Sequence, residues 1–429
     1  MFDATTAQLL RSAPPVPGLD PDDIPALLTS HFANLVSARL GGTSGAPSGD
    51  EDSGWSLERI SDTYELVTSL NTDGTLRRAA AFVAGTAQQL LARRQVASAP
   101  DGPAVANIDR DRVDPTIAAS LLFLAAEQYA DANEAAAQIH ARREGQSYEA
   151  TILAEHIANL ARGQLNHIVE RAARWRTHRG ERSLDERALA ALFEALATGI
   201  EMLAARLLNL PVPETAAGRF EAPRHAFQRV LQLSAVLDDQ HSDLLGGTLL
   251  NAFAGPHHLA ALLIAAHDGI AQAALADLPP PDGADAQFWA KWIHARASLF
   301  PYLWPNHRDA IAVGFHQTGK SAVVVLPTGA GKTTVSALKL AGALARGKKV
   351  VFLAPTHALV EQLTGDLQEI FPQDLLGSVV SSDFDLLFQL DAQLREPALS
   401  CHREPAARAI RNPSSSYPPG IKAKIAPLT

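Results

Sequence analysis

The feature that most constrains the fold is a stretch near the end of the chain, VVVLPTGAGKTTVSALKLAGALARGKKVVFLAP, at 323–355. Two short runs of β-branched and apolar residues, VVVL and VVFL, flank SALKLAGALARG, which has a helical composition. Strand, helix and strand over so few residues form a βαβ unit, and such units build parallel sheets. The sequence therefore predicts an α/β domain with a parallel sheet here.

Two glycine-rich motifs overlap this region. GFHQTGKS, at 314–321, matches the pattern G-x-x-x-x-G-K-[ST] in full, whereas LPTGAGKT has Leu326 in place of the first Gly. A phosphate-binding loop needs a strand before it and a helix after it, because its N–H groups and the helix N-terminus then face the phosphates. GFHQTGKS follows the helix-like NHRDAIAV and precedes the strand, so we interpret it as the loop that enters the strand. LPTGAGKT has the required order.

We therefore predict that LPTGAGKT binds ATP and Mg²⁺, the alternative being a plain glycine turn. The predicted strand is 323–326 and the predicted helix 333–344. In such loops the Lys reaches the β- and γ-phosphates, and the next hydroxyl binds Mg²⁺. Lys332 and Thr333 are the predicted catalytic residues, with Thr333 as the Mg²⁺ ligand. The predicted nucleotide-binding residues are Thr328, Gly329, Ala330, Gly331, Lys332, Thr333 and Thr334.

These motifs resemble those of superfamily 2 helicases of the DEAD/DEAH-box type. PTGAGKT is similar to their motif I, and APTHALVEQ, at 354–362, is similar to motif Ia. The resemblance implies a RecA-like P-loop NTPase lobe, a hydrolase activity and a DNA or RNA partner. It also implies that Pro355, Thr356 and His357 contact the sugar-phosphate backbone. Their place at the end of a parallel strand and before a helix suits a ligand site, although a plain strand-to-helix turn is the alternative.

The segment LWPNHRDAI resembles the one that carries an adenine-reading Gln in many such enzymes, and His307 occupies the corresponding position. The alternative is an ordinary helix with a solvent-facing His307. Hydrolysis also needs an acidic pair that holds Mg²⁺ and orients water, yet no Asp-Glu pair follows Lys332. Asp185-Glu186 precedes the loop and indicates a helix start. We expect the N-terminal portion of a larger helicase, ending shortly after motif Ia, with weak ATP binding and no activity alone.

The fold class predicted for the whole chain is a mostly α N-terminal region followed by an incomplete α/β RecA-like domain with a parallel sheet. A helical accessory domain is predicted at 1–280, with linker-like loops at 41–54 and 98–112. A partial RecA-like lobe follows at 286–395. Residues 396–429 are Pro-rich and irregular, which leaves open a native disordered tail or out-of-frame sequence.

Three helices stand out in the N-terminal region. The apolar spacing predicts one at 184–209, begun by a capping box of Ser183 and Glu186. Asp114 and Pro115 predict the start of a second, which continues through SLLFLAAEQYADANEAAAQI. The third is predicted at 148–175. Such a region suits regulation, protein partners or guidance of nucleic acid.

Composition narrows the functional classes. The net charge of −9 excludes a chain-wide basic surface for nucleic acid but not a local channel. A single cysteine, Cys401, excludes an internal disulfide framework and favours a reducing compartment. We find no signal peptide and no apolar run of the roughly 18 residues a membrane span needs. The sequence therefore predicts a cytoplasmic location and no membrane partner.

Two further stretches have alternative interpretations. RAARWRTHRGER, at 171–182, either contacts phosphates with a base stacked on Trp175 or is a solvated helix end. His257 and His258 have no Cys or further His at the spacing of a zinc site, so the sequence does not predict one there. A different class of function also remains: a helical interaction or scaffolding protein with a vestigial nucleotide-binding fold.

Overall fold

The structure is a computed structural model, and the chain separates into two compact units, 1–273 and 274–429. The domain boundaries predicted at 280, 286 and 396 stay predictions. Apart from single positions, the structure describes 24–40, 55–98, 108–139, 147–177, 183–238, 248–326, 331–353, 357–371, 378–382, 398–402 and 422–426.

The first unit, called the helical unit, is built from ten described helices and one short hairpin. The helices are α1 Ile24–Leu40, α2 Leu57–Leu70, α3 Gly74–Ser98, α4 Pro115–Ala125, α5 Tyr129–Ala136, α6 Tyr148–Ala161, α7 Leu165–Ala172, α8 Leu184–Leu207, α9 Pro223–Ser234 and α10 Ala254–Ile270. The hairpin pairs β1 Ala235–Asp238 with β2 Thr248–Asn251 in antiparallel register. The predicted loop 41–54 lies outside the described residues.

Helix α4 lies at the centre of the helical unit. All nine residues from Ile117 to Ala125 are buried, which is expected of a short helix that is apolar on every side. It packs against α3, α5, α6 and α10. As predicted, Asp114 caps it by accepting a hydrogen bond from the backbone N–H of Thr116 at 2.8 Å, with Pro115 in the first turn.

Two predicted helices are each divided in two. The helix that starts at Pro115 breaks at Glu127, whose φ of 59° is left-handed and whose N–H bonds back to the Leu124 carbonyl. The helix predicted at 148–175 breaks at Gly163, with φ of 72°. The glycine and the residue after it satisfy the last carbonyls of α6, at Leu160 and Asn159, in a Schellman end. These single continuous helices were therefore wrong predictions.

Helix α8 confirms the predicted element and its capping box. The Glu186 N–H bonds to Ser183 Oγ, and the Glu186 carboxylate accepts the Ser183 N–H. By length and composition Glu186–Leu207 is the one helix among the described residues that could cross a membrane, but 72% of that window is buried inside the structure. It packs against α6, α7 and α9, and such packing is typical of a core helix.

The second unit combines helices with short strands. Its helices are α11 Ala286–Leu299, α12 Pro305–Ala312, α13 Lys332–Ala345 and α14 His357–Ile370, and its strands are β3 Val351–Leu353, β4 Ser378–Ser382, β5 Ala398–His402 and β6 Lys422–Ala426. β4 pairs with β5, β5 with β6 and β3 with β6, all in parallel. The described residues of the chain are mostly helical, and this agrees with the mostly α character predicted for the N-terminal region.

The prediction of a strand at 323–326 was wrong. Within the described residues these four positions form no strand, and Val323 and Val325 are 91% and 89% exposed. A strand is stabilised by hydrogen bonds to its neighbours, and no described strand pairs with this segment. The helix after the loop is present, at Lys332–Ala345 against the predicted 333–344.

Candidate nucleotide-binding site

Helix α13 places the predicted phosphate-binding side chains at its first turn. Lys332 and Thr333 are exposed there, and Thr334 is half-buried. The opposite face of the helix, which includes Val335 and Leu338, is buried. The first N–H groups of a helix have no partner within the helix and carry partial positive charge. This end of α13 therefore presents a lysine, a hydroxyl and backbone donors in one place.

Gly331 joins the loop to α13 in a conformation that favours glycine. Its φ of 73° and ψ of 37° lie in the left-handed region, which side chains with a Cβ rarely adopt. A Cβ at this position would also lie 2.8 Å from Cε1 of His307 and nearer still to Nε2. Both the backbone and its neighbour thus require that position 331 has no side chain. The predicted Thr328, Gly329 and Ala330 lie outside the described residues.

His307 is a buried residue close to Gly331. Its side chain is buried, with only 2% exposed, and its ring stacks on Trp304 at a centroid distance of 5.6 Å. Nδ1 accepts the Trp304 backbone N–H at 3.3 Å, and Nε2 is the ring nitrogen nearest to Gly331. The interpretation of His307 as solvent-facing was wrong. The buried ring lies beside Gly331, the residue that directly precedes α13.

The first glycine-rich motif has a different local structure. Helix α12 ends at Ala312, and Gly314 follows with φ of 76°. The Gly314 N–H bonds to the Ile311 carbonyl and the Phe315 N–H to the Ala310 carbonyl, which is a Schellman end. Gly314 is thus a helix stop. No described helix begins within this motif, in agreement with its interpretation as a connecting loop.

This connecting loop is fixed onto the side of α13. The Lys339 ammonium donates to the Gln317 carbonyl and lies 5.3 Å from the centre of the Phe315 ring. Burial lowers the pKa of His316, and the Lys339 charge lowers it further against the opposing charge of Asp282. Gly342 leaves room for the His316 carbonyl, because a Cβ there would lie 2.7 Å from that oxygen. The loop therefore packs along α13, away from its first turn.

The predicted nucleic-acid contacts lie mostly outside the described residues, which exclude Pro355 and Thr356. His357 is the first residue of α14, and α14 follows β3 after a gap of three residues. A strand followed by a helix is the order predicted for this segment. The contacts of these three residues with nucleic acid stay a prediction.

The basic stretch at 171–182 was also a candidate for nucleic-acid binding, and the structure gives two of its members another role. Trp175 is 4% exposed, and its indole N–H donates to Glu201 Oε1 at 2.7 Å. Arg176 donates to both oxygens of the same carboxylate, at 3.2 and 2.7 Å. Because Trp175 is enclosed by its own unit, it has no free face for a base, and the stacking hypothesis was wrong.

No group of three or more His, Cys, Asp or Glu side chains among the described residues could hold a metal ion. His257 and His258 have protein partners instead: His257 bonds to Ser234 Oγ at 3.1 Å and His258 to Glu65 at 2.6 Å. Mg²⁺ at a phosphate loop needs fewer protein ligands, because it takes most of its oxygens from water and phosphates. The exposed Thr333 hydroxyl at the first turn of α13 suits that arrangement.

A glycine, a Lys-Thr pair and a helix start in this order are what a P-loop pattern predicts. Residues 304–389 match the model of the DEAD/DEAH box helicase family. The match confirms the resemblance found in PTGAGKT and APTHALVEQ. It covers about a fifth of the chain and includes α12, α13, β3 and α14, whereas the helical unit lies outside it.

Proposed function

We propose that 304–389 bind the triphosphate of ATP together with Mg²⁺ and belong to a nucleic-acid-dependent ATPase of the helicase type. The observation that carries this proposal is the start of α13. There the left-handed Gly331 directly precedes an exposed Lys332 and Thr333, and the segment matches the DEAD/DEAH box helicase family. ATP and Mg²⁺ fit the donor set at this helix start, because the Lys332 ammonium suits phosphate oxygens and the exposed Thr333 hydroxyl suits the metal ion.

Each residue has a separate role in this proposal. The N–H groups of the loop and of the first turn of α13 donate to phosphate oxygens. The Lys332 ammonium donates to the β- and γ-phosphates, and the Thr333 hydroxyl binds the magnesium ion. The bound metal neutralises phosphate charge. Pro355, Thr356 and His357 contact the backbone of a DNA or RNA strand.

The proposal predicts that binding depends on Mg²⁺ through Thr333. Thr333→Val removes the hydroxyl and keeps the side-chain shape. The affinity for a fluorescent ATP analogue should then rise much less on addition of Mg²⁺ than it does in wild type. Thr75→Val is the matched control, because Thr75 is exposed and lies outside the segment that matches the family. Equal Mg²⁺ dependence in wild type and Thr333→Val would contradict the assignment.

We further propose that this chain alone binds ATP weakly and turns it over at a negligible rate. The support is the lack of an Asp-Glu pair after Lys332, since hydrolysis needs a carboxylate that holds Mg²⁺ and a group that orients water. Phosphate release with and without single-stranded DNA or RNA should stay at background. Measurable turnover that is lost in Lys332→Ala would overturn this part.

The alternative is a helical interaction or scaffolding protein with a vestigial nucleotide-binding fold. The large helical unit outside the family match favours it. The two functions differ in one observable property, because a vestigial fold predicts no saturable binding of the ATP analogue. We also propose a cytoplasmic location and protein partners for the helical unit, which localisation and co-purification experiments can test.

A further inference from the structure

A cavity of about 270 Å³ opens between α2, α4 and α10 of the helical unit. None of the predicted nucleotide-site residues lies in this unit, and the family match does not reach it. Its walls are mainly apolar and include Leu66, Leu122 and Leu262. Small-molecule sites have this character, with apolar walls and a few polar groups that fix the orientation of the ligand.

One side of the cavity is formed by an ion pair between α2 and α10. Glu65 Oε2 lies 2.6 Å from His258 Nε2, and Glu65 Oε1 accepts hydrogen bonds from Ser61 Oγ at 2.9 Å and Gln88 Nε2 at 3.0 Å. Both oxygens of Glu65 are therefore engaged. His258 compensates the charge of Glu65. Neither the Glu65 carboxylate nor the His258 ring is therefore available to pair with a charged ligand.

Asp62 is a second carboxylate at the same cavity. It precedes Glu65 by three residues, which places both on one face of α2. In the part of the chain that the structure describes, Asp62 makes no hydrogen bond and no ion pair. The Asp62 side chain is exposed to solvent. Partial burial still raises its pKa, the charges of Glu65 and Glu58 raise it further, and His258 opposes them. A cation beside Asp62 would offset its repulsion with these two carboxylates.

We propose that the cavity binds a small organic cation, an ammonium group on a short alkyl chain, with the ammonium at Asp62 and the chain against Leu122 and Leu262. The lining disfavours an anion, because it has two carboxylates, and of its two histidines His258 is paired with Glu65 and His257 is bonded to Ser234. A divalent metal would require about six oxygen ligands, and Asp62 supplies the one uncommitted carboxylate of the described lining. An alkylammonium ion matches both the single charge and the apolar walls.

The test is a calorimetric titration of the full chain with n-butylammonium chloride at pH 7. We expect n-butylammonium to bind saturably with one-to-one stoichiometry. n-Butanol should bind more weakly by about tenfold or more, because the alcohol has the same alkyl chain but lacks the charge. Asp62→Asn should weaken n-butylammonium binding by about tenfold or more. Asp111→Asn is the matched control and should leave binding unchanged, because Asp111 is exposed and does not line the cavity.

A second variant keeps the proposal testable if Asp62→Asn fails to fold, as judged by its circular dichroism spectrum. Ala265→Leu adds bulk to the α10 wall of the cavity and should weaken both ligands together. The proposal would be overturned by no saturable binding, by equal binding of n-butanol and n-butylammonium, or by unchanged binding in Asp62→Asn. Saturable binding of Mg²⁺ that displaces n-butylammonium would also overturn it, in favour of a metal site.

Discussion

At the scale of single residues, Gly331 is the position where sequence and geometry agree most closely. The motif requires glycine there, and the structure supplies two independent reasons, the φ of 73° and the buried His307 ring. His307 itself shows what the motif could not indicate. Its position in the sequence suggested adenine reading or a surface residue, but its ring is buried, stacks on Trp304 and lies beside Gly331.

Gly331→Ala should therefore be destabilising for two separable reasons. The left-handed backbone costs about 1–2 kcal/mol for a residue with a Cβ, and the overlap with His307 adds to it. A double-mutant cycle of Gly331→Ala with His307→Ala, measured by urea unfolding, should show coupling because the smaller side chain relieves the overlap.

Gly319→Ala is the control for this cycle. Gly319 also has a positive φ, 91°, but a Cβ there would meet no atom within 4 Å. Its cost should be the backbone cost alone and should not change in the His307→Ala background. Equal coupling at Gly319 and Gly331 would contradict the assigned contact.

The buried carboxylate of Glu201 predicts a second effect at this scale. Glu201 is fully buried, with His156, Trp175 and Arg176 around it. Arg176→Ala should cost about 3–5 kcal/mol, because it leaves a buried charge without its main partner. Arg229→Ala, at an exposed position of α9, should leave the free energy of unfolding nearly unchanged. Loss of oligonucleotide binding by Arg176→Ala without loss of stability would favour the nucleic-acid hypothesis instead.

At the scale of elements, helix starts could be predicted and some helix ends could not. Asp114, Ser183 and the apolar spacing indicated where α4 and α8 begin, because capping is a local property. Gly163 is a residue type that often ends helices. The apolar spacing continues past it, and the prediction followed that spacing. The break at Glu127 had no such signal, since glutamate favours helices. Its left-handed φ and its ion pair with Arg78 are visible only in the structure.

The contact between α2 and α10 was likewise not predictable, because Glu65 and His258 are 193 residues apart. Burial alone would raise the pKa of Glu65, but the charge and hydrogen bond of His258 hold it below 4.5. Burial alone would lower the pKa of His258, but the charge and hydrogen bond of Glu65 raise it above 6.5. The pair therefore makes stability depend on pH.

The sign follows from these two directions. The stabilisation from His258 is fully present below its unfolded pKa and is lost as pH rises through its raised, folded value. The stabilisation from Glu65 is present above its unfolded pKa and is lost as pH falls through its lowered value. The pair should contribute most between pH 4.5 and 6.5.

Unfolding free energies from pH 4 to 9 would measure this contribution. His258→Ala should remove the decline above pH 6.5 that the pair causes. His225→Ala, on α9 with half of its side chain exposed, should keep the wild-type profile. A profile of His258→Ala that runs parallel to wild type would show that the pair does not contribute.

At the scale of the whole molecule, the chain joins a helical unit without a family match to a second unit that carries one. The sequence predicted the helical character of the first and the loop-to-helix start in the second, because both depend on local patterns. It also predicted a strand at 323–326 that has no partner strand among the described residues. Strand formation depends on neighbours, which a local pattern does not supply.

The most direct test of the central claim compares the two glycine-rich motifs within one protein. A fluorescent ATP analogue is titrated with Mg²⁺ into wild type, Lys332→Ala and Lys320→Ala. If α13 begins the nucleotide site, Lys332→Ala should weaken binding by about tenfold or more, and Lys320→Ala should bind as wild type does. Weakened binding in Lys320→Ala with unchanged binding in Lys332→Ala would place the nucleotide at the other motif and contradict the account.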